Sequence, residues 1–326
     1  MARALLAALA QMGAQVDLAS RLCSRDGTGD AQMQADLMAQ AQGLVPQITA
    51  MGRTAGWQAW ITYHSYYKAP DLIGPAVSRA LGIPYLLVEA TRARKRLGGP
   101  WDAFARVAEA ACDAADVVFY LTQRDRTALQ KYAPAGQQLM HLRPFLPLSD
   151  LPPMATGTNL LAVGMMRAAA KLPSYALIAQ TLALVPDAPQ LEIAGDGPAR
   201  AQVEEVMAPL GSRVTFLGRL EPAALQEAYV RAGTLIWPGV DEAFGMTYLE
   251  AHAHGLPVIA QDRDGVRDVL FPRDYSPVSQ GAEGLAAMLR RKPPAAEAIR
   301  AHIRAHHLLP SAALTLSSGL TLAGVR

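Results

Sequence analysis

The stretch Trp237-Pro-Gly-Val-Asp-Glu-Ala-Phe-Gly-Met-Thr-Tyr-Leu-Glu-Ala-His-Ala-His-Gly-Leu-Pro-Val-Ile-Ala260 decides how this chain folds. Its pattern predicts an apolar strand before Glu242, a helix that joins Glu242 to Glu250, and a second strand after the Gly-Leu-Pro turn. The two carboxylates then lie roughly 10 Å apart, at about 1.5 Å of helix per residue. We expect the free N–H groups that open the helix, near residues 243–245, to face an anion. This spacing suits a sugar and a ribose on the two sides of a diphosphate.

The surroundings of the two glutamates resemble the E-x7-E motif of retaining GT-B glycosyltransferases of the family-4 type, the glycosyl transferases group 1. The match includes the Ala-Phe-Gly after Glu242, the Glu-Ala at Glu250 and the Gly-Leu-Pro-Val that starts the next strand. The resemblance implies an α/β GT-B fold, in which two Rossmann-like domains with parallel sheets face a cleft. It also implies transfer of a hexose from a nucleoside-diphosphate sugar to a glycan, lipid-linked or other glycoconjugate acceptor, with retention of configuration. The setting expected for such an enzyme is surface-polysaccharide or glycoconjugate assembly.

Composition narrows the classes of protein to which this chain can belong. With 326 residues, of which 51% are hydrophobic, it can form two domains of ordinary size. A formal net charge of +2 gives no reason to expect a nucleic-acid partner. Cys23 and Cys112 lie far apart, which is typical of a reducing cytoplasm. No apolar run approaches the roughly 20 residues that span a bilayer, so we expect a cytoplasmic protein and leave peripheral attachment to the inner face of a membrane open.

Strands and helices alternate along both halves of the chain. The first half contains a predicted strand at Trp60-Ile-Thr-Tyr63, a helix at 69–81 and a strand at Tyr85-Leu-Leu-Val88. This alternation predicts a parallel sheet covered by helices. A short strand is also predicted at 15–20, where apolar and polar residues alternate. The Pro-rich stretch 141–153 predicts a linker. We therefore expect two domains, at 1–150 and 151–307, and a tail at 308–326 without an assigned role. The resemblance implies that the first domain lies on the acceptor side and that the second binds the nucleotide-sugar.

A strand-to-helix junction in the second half offers cations for a departing phosphate. The segment Gly164-Met-Met-Arg-Ala-Ala-Ala-Lys171 places Arg167 and Lys171 four residues apart. Positive charge aimed at a leaving group stabilises the negative charge that develops there. In the family that the chain resembles, an Arg and a Lys in this segment hold the donor diphosphate. The resemblance therefore assigns catalysis to Arg167, Lys171 and Glu242, the alternative for the two cations being an exposed i,i+4 pair.

Further turns of the second half resemble donor-binding turns of the family. One is Ala194-Gly-Asp-Gly-Pro198, an incomplete dinucleotide fingerprint whose alternative is a plain turn. Another is Phe216-Leu-Gly-Arg-Leu220, which resembles the stretch whose backbone meets the nucleotide base. The donor-binding residues that the resemblance implies are Gly195, Gly218, Arg219, Ala243, Phe244, Gly245 and Glu250.

The first half offers polar groups for an acceptor. His64 follows one predicted strand, and Glu89 follows the next, in the register where many relatives carry a His. The basic stretch at 92–96 could meet an anionic acceptor or a lipid headgroup, with a solvated loop as the alternative.

No cofactor and no metal are expected. Asp262-Arg-Asp264 matches by letter the Asp-x-Asp with which GT-A enzymes hold a divalent cation. It follows the last predicted core strand of the second domain, where relatives carry a glycine-containing turn. We therefore interpret the match as a coincidence.

The N-terminus differs from the pattern of the family, whose first domain opens with a strand and a Gly-rich loop. This sequence begins inside the helix that follows them. We expect the true start to lie upstream, the alternative being a shortened protein with an open strand position in its sheet. Two other functions remain as alternatives, namely a degenerate protein that binds a nucleotide-sugar or a partner without turnover, and a nucleotide-sugar epimerase on the same fold.

Overall fold

The computed structural model describes residues 1–169 and 171–325, which divide into two compact units. The N-terminal unit comprises Met1–Arg143 and the residues from Pro310 onward, and the C-terminal unit comprises Pro144–Leu309. The linker predicted at 141–153 contains the first of these boundaries. The tail predicted at 308–326 falls mainly in the N-terminal unit, whose other residues are Met1–Arg143.

The N-terminal unit contains a parallel sheet that, within the described residues, has four strands in the order β1-β2-β3-β4. The strands are β1 (Trp60–Tyr63), β2 (Tyr85–Val88), β3 (Val117–Tyr120) and β4 (Gln138–His141). The helices before and between them are α1 (Ala2–Gln11), α2 (Ala31–Ala55), α3 (Gly74–Leu81), α4 (Asp102–Ala114) and α5 (Gln123–Tyr132), with a 3-10 turn at Arg94–Arg96. All residues of β2 and β3 are buried, as expected for central strands covered on both faces.

The strand predicted at 15–20 is wrong. Within the described part of the chain these residues form no strand, and Asp17 instead accepts a hydrogen bond from the indole of Trp57 at 2.7 Å. Val16 and Leu18 are 47% and 72% exposed, so no layer covers the apolar side of this segment. Alternation produces a strand only where a neighbouring strand completes the hydrogen-bond ladder and a core receives the apolar face.

The C-terminal unit is built on a parallel sheet with five strands in the order β7-β6-β5-β8-β9 within the described residues. These are β5 (Asn159–Val163), β6 (Leu191–Ala194), β7 (Val214–Gly218), β8 (Ala232–Ile236) and β9 (Val258–Ile259). A second, small sheet pairs β10 (Gln261–Asp262) with β11 (Ser276–Pro277). The order reverses between β5 and β8, and such a switch point opens a crevice at the carboxyl ends of the strands, where ligands bind.

Helices flank the strands of this unit. They are α6 (Leu172–Ala183), α7 (Arg200–Met207), α8 (Pro222–Arg231), α9 (Met246–Ala253), α10 (Gly281–Arg290) and α11 (Ala296–His306), with 3-10 turns at Ala208–Arg213 and Val278–Gln280. The last helix, α12 (Leu309–Leu322), continues into the N-terminal unit. There the absence of a side chain on Gly319 makes room for the ring of Phe119 in β3. None of the helices in the described residues is both long and apolar enough to cross a membrane.

Candidate functional site

Glu242 lies between β8 and α9, beside the switch point of the C-terminal sheet. Its Oε1 accepts a hydrogen bond from the indole Nε1 of Trp237 at 2.9 Å and forms an ion pair with Nζ of Lys171. The Lys171 and Glu242 side chains are only 16% and 15% exposed. The structure therefore brings together two of the three predicted catalytic residues in a partly desolvated pair, where charge interactions are stronger than in water.

Trp237 is fixed by the residues around its ring. It is 1% exposed, and the ring of Tyr175 meets it edge-on with 5.2 Å between centroids. The Tyr175 hydroxyl donates to the carbonyl of Gly164 at 2.7 Å, and a Cβ at Gly164 would lie 2.6 Å from the indole. A glycine is therefore required after β5, and the packing holds the indole N–H toward Glu242.

The loop that carries Glu242 has a constrained backbone. Asp241 has φ 53°, in the left-handed region that non-glycine residues rarely adopt. Gly245 has φ 76°, and a Cβ there would collide with the ring of Tyr248. The expectation that free helical N–H groups lie near 243–245 needs correction, because α9 begins at Met246. Ala243, Phe244 and Gly245 precede the helix, and the unpaired N–H groups of its first turn begin at Met246.

Glu250 lies inside α9, as predicted from its spacing. Its Oε2 accepts a hydrogen bond from the hydroxyl of Tyr229 at 2.8 Å. Burial raises the pKa of Glu250, and the hydrogen bond from Tyr229 acts in the opposite direction. The carboxylate retains acceptor capacity, since each ionised carboxyl offers about four lone-pair sites. The Glu250 carboxylate can therefore accept a further hydrogen bond from a hydroxyl group of a ligand.

Arg167 takes no part in the cluster at Glu242. It is exposed, its Nη2 lies 3.8 Å from Sδ of Met165, and none of the described carboxylates forms an ion pair with it. Its backbone carbonyl accepts a hydrogen bond from the amide of Lys171 at 2.9 Å. The guanidinium of Arg167 is thus available to an anion between the end of β5 and the start of α6.

The predicted turn glycines hold neighbouring loops together. The amide of Gly195 donates to the carbonyl of Gly218 at 2.8 Å, and a Cβ on Gly195 would collide with the carbonyl of Gly164. Gly218 has φ 68°, and Arg219 beside it is exposed. At least Gly195 therefore has a packing role, because it allows the residues after β5 and β6 to approach each other.

His64 and Glu89 form a second polar site, in the N-terminal unit. His64 Nδ1 lies 3.3 Å from Glu89 Oε1. The hydrogen bond to Glu89 raises the pKa of His64, and partial burial opposes this effect. The structure thus joins the two residues that sequence reasoning had placed only at the ends of adjacent strands.

The basic stretch at 92–96 is largely occupied by internal contacts. Arg92 is buried and donates to Glu109 at 2.8 Å and to Asp113 at 2.6 Å. Arg94 also pairs with Glu109, at 3.4 Å. The expectation that this stretch meets an anionic ligand, or forms a solvated loop, is therefore wrong for Arg92, because its guanidinium is buried against two carboxylates of α4.

The Asp-x-Asp string is bound by an arginine. Arg267 contacts Asp262 at 2.5 Å and Asp264 at 2.8 Å. In the part of the chain that the structure describes, no group of three or more His, Cys, Asp or Glu side chains could hold a metal ion.

Sequence reasoning missed three aromatic residues that position the site, namely Trp237, Tyr175 and Tyr229. Trp237 had a usable signal, because a buried indole N–H needs an acceptor and a loop carboxylate follows five residues later. The two tyrosines are buried residues of α6 and α8, and nothing in the sequence pattern separates them from ordinary core residues.

Residues 157–291 match the family described as Glycosyl transferases group 1. The C-terminal unit belongs to this family. A GDP-mannose-dependent alpha-mannosyltransferase from Mycolicibacterium smegmatis is 41% identical over 83 residues, 26% of this chain and 21% of that protein. Sulfoquinovosyl transferase SQD2 from Arabidopsis thaliana is 31% identical over 101 residues, 31% of this chain and 19% of that protein. The chain thus matches about a fifth of the length of these curated relatives.

Solved structures with the same architecture cover most of the chain. Anabaena Alr3699/HepE in complex with UDP has a TM-score of 0.65 at 16% identity, covering 86% of this chain and 82% of that one. Sucrose-phosphate synthase from Thermosynechococcus elongatus has a TM-score of 0.59 at 21% identity, covering 87% and 78%. The fold of this chain is therefore of the GT-B type, as its sequence predicts.

Proposed function

We propose that this chain transfers a sugar from a nucleoside-diphosphate sugar to a glycan, lipid-linked or other glycoconjugate acceptor, with retention of configuration and without a metal ion. The observation that carries the proposal is the placement of Glu242 at the switch point, where it contacts Lys171 and Trp237, with Glu250 inside the helix that follows, α9. The names of relatives, among them a GDP-mannose-dependent alpha-mannosyltransferase, support a nucleotide-sugar as the donor.

Each charged group then has a role in the proposed reaction. Glu242 accepts hydrogen bonds from hydroxyls of the donor sugar, and Glu250 accepts them from the ribose. Lys171 and Arg167 stabilise the charge that grows on the departing diphosphate. The acceptor oxygen attacks the anomeric carbon on the face from which the phosphate leaves. The leaving phosphate oxygen takes the acceptor's proton.

The ion pair between Lys171 and Glu242 changes partners in this proposal. When a donor binds, Nζ of Lys171 turns to a phosphate oxygen, and Glu242 exchanges the ammonium for a sugar hydroxyl while the indole of Trp237 holds its other contact. Neither charge is then left buried without a partner, which would be costly.

The test combines donor binding and turnover. Thermal stabilisation and nucleotide release are measured with a panel of nucleotide-sugars that includes UDP-glucose and GDP-mannose. We expect at least one donor to stabilise the protein, and we expect Glu242→Gln to abolish nucleotide release.

The matched control is Glu227→Gln, which changes an exposed carboxylate on α8 and should leave release intact. Failure of every donor to stabilise the wild-type protein would contradict the proposal. Stabilisation without release, in the presence of simple glycosides as acceptors, would favour the alternative of a binding protein without turnover.

A further inference from the structure

The carboxylate of Glu250, in the C-terminal unit, depends on one side chain for its orientation. Within the described residues, the hydroxyl of Tyr229 is the only side-chain hydrogen-bond partner of Glu250, and it donates to Oε2 at 2.8 Å. Burial raises the pKa of Glu250, and the hydrogen bond from Tyr229 opposes this rise, which favours the ionised form. An ionised carboxylate only accepts hydrogen bonds. Tyr229 therefore sets the direction in which Glu250 can accept a hydroxyl of a ligand.

Tyr229 itself is held inside the core. It lies in α8 and is buried, and burial raises the pKa of its hydroxyl, so the group keeps its proton and remains a donor. Its ring stacks on the imidazole of His254, with 5.2 Å between centroids and 15° between planes. Glu250 and His254 are four residues apart toward the C-terminal end of α9, so they share one face of the helix. Tyr229 thus contacts this face twice, through its hydroxyl and through its ring.

The imidazole of His254 is anchored at one edge. Its Nδ1 lies 2.7 Å from the carbonyl oxygen of Pro153, which can only accept, so Nδ1 carries the hydrogen. The backbone carbonyl of His254 accepts a hydrogen bond from the amide of Ala155 at 2.8 Å. These two bonds join the end of α9 to the segment before β5 and restrict the rotation of the ring.

One nitrogen of His254 is buried without a partner. In the part of the chain that the structure describes, Nε2 makes no hydrogen bond. Buried polar atoms are nearly always paired, so an orphaned one calls for an explanation. An aliphatic side chain would fill this space without an unpaired nitrogen, but it would not present a flat face to the ring of Tyr229. The stacking on Tyr229 supplies the explanation.

We propose that Tyr229 is a positioning residue that turns the Glu250 carboxylate toward the ribose hydroxyls of a bound nucleotide, and that the stacked ring of His254 keeps Tyr229 in place. Both residues act through Glu250. Together they make the site selective for a ribonucleotide over the same nucleotide without a ribose hydroxyl. This inference rests on the proposed function, in which Glu250 accepts hydrogen bonds from the ribose.

The test is isothermal titration calorimetry of the full chain with UDP and GDP and with the 2′-deoxy and 3′-deoxy analogues of each. We expect the affinity of the wild-type protein to fall about tenfold or more when a hydroxyl that Glu250 binds is missing, because a hydrogen bond to a charged group is lost. In Tyr229→Phe, which keeps the ring but no longer orients the carboxylate, we expect this ratio to fall to about threefold or less.

Tyr275→Phe is the matched control. It also removes a hydroxyl that is hydrogen-bonded inside the C-terminal unit, to the carbonyl of Phe271 at 3.0 Å. The ratio of affinities in this variant should equal that of the wild-type protein. A wild-type protein that does not distinguish the analogues would overturn the inference, and so would a Tyr229→Phe variant that distinguishes them equally well.

Two variants of His254 separate the stacking from the hydrogen bond. His254→Phe keeps an aromatic ring against Tyr229 and loses the bond to Pro153, whereas His254→Asn keeps a donor near the position of Nδ1 and loses the ring. We expect His254→Phe to retain the preference for the ribonucleotide and His254→Asn to lose most of it. Both affinities of a variant are measured on the same protein, so a loss of stability alone does not change their ratio. The reverse result would overturn the role of His254.

The outcomes separate this inference from the proposed function. Absence of binding by both UDP and GDP would refute the proposed donor site and the inference together. Binding with an unchanged preference for the ribonucleotide in Tyr229→Phe would refute the inference and leave the proposed function intact.

Discussion

At the scale of single residues, Glu242 is the most closely held carboxylate of the candidate donor site. A cation and an indole N–H share its Oε1, and both donors come from positions that the backbone fixes, Lys171 at the entry of α6 and Trp237 directly after β8. The sequence shows Glu242 and Lys171 as candidates because their types and spacing carry chemistry. It does not show that they touch, because residues 71 positions apart meet only through the strand order.

Trp237→Phe tests whether the indole N–H orients Glu242. The variant keeps most of the apolar volume and removes one hydrogen bond to a charged group, worth about 1.5–3 kcal/mol. If Glu242 acts mainly in the transition state, kcat falls roughly tenfold to a hundredfold, and KM changes little. Steady-state kinetics with the best donor measure both constants.

Trp57→Phe is the control for this prediction, since the indole of Trp57 also donates to a carboxylate, Asp17, at 2.7 Å, but lies in the N-terminal unit. Its kinetics should match those of the wild-type protein. An unchanged kcat in Trp237→Phe would show that the indole serves packing alone.

At the scale of the elements, α9 and its flanks carry most of the site, and the sequence predicts them only in part. The sequence pattern predicts the helix and the position of Glu250 inside it. It does not predict the residue at which the helix begins. The Gly-Met boundary at 245 and 246 depends on a left-handed glycine packed against Tyr248. The prediction of a strand at 15–20 failed for a different reason. The local alternation is clear, but in the described residues no neighbouring strand completes a hydrogen-bond ladder with this segment.

His252 anchors the C-terminal end of α9 and makes the stability of this element depend on pH. Its Nε2 accepts from the amide of Phe271 at 3.1 Å, and Nδ1 donates to the carbonyl of Leu256 at 3.0 Å, so the ring must be neutral. Burial lowers the pKa of His252 from 6.5 to about 4. In the unfolded chain the ring takes up a proton more readily, so its contribution to stability is present above pH 6.5 and is lost as the pH falls toward 4.

Urea unfolding between neutrality and pH 4 measures this effect. We expect the free energy of unfolding of the wild-type protein to decrease with acidification more steeply than that of His252→Gln. His306→Gln, on the exposed side of α11, should show the wild-type slope. Equal slopes for wild type and His252→Gln would contradict the assignment.

At the scale of the whole molecule, alternation of strand and helix is enough to predict two α/β units with parallel sheets. The place of the C-terminal tail could not be predicted, because its pattern is weak. The tail packs against the ring of Phe119, for which the absence of a side chain on Gly319 leaves space. His64 and Glu89 could be named as candidates from the sequence, but their contact could not be predicted, because the register of the strands and the backbone conformation bring the two side chains together.

The central claim is that the C-terminal unit holds a nucleoside diphosphate through Lys171, beside Glu242. Isothermal titration calorimetry of UDP and of GDP against wild type, Lys171→Ala and Lys131→Ala tests it most directly. Lys131 lies on α5 of the N-terminal unit and serves as the matched control. We predict that at least one nucleotide binds the wild-type protein, that Lys171→Ala weakens this binding about tenfold or more, a loss of about 1.4 kcal/mol, and that Lys131→Ala binds like the wild type. Absence of binding by both nucleotides, or equal affinity in Lys171→Ala, would contradict the claim.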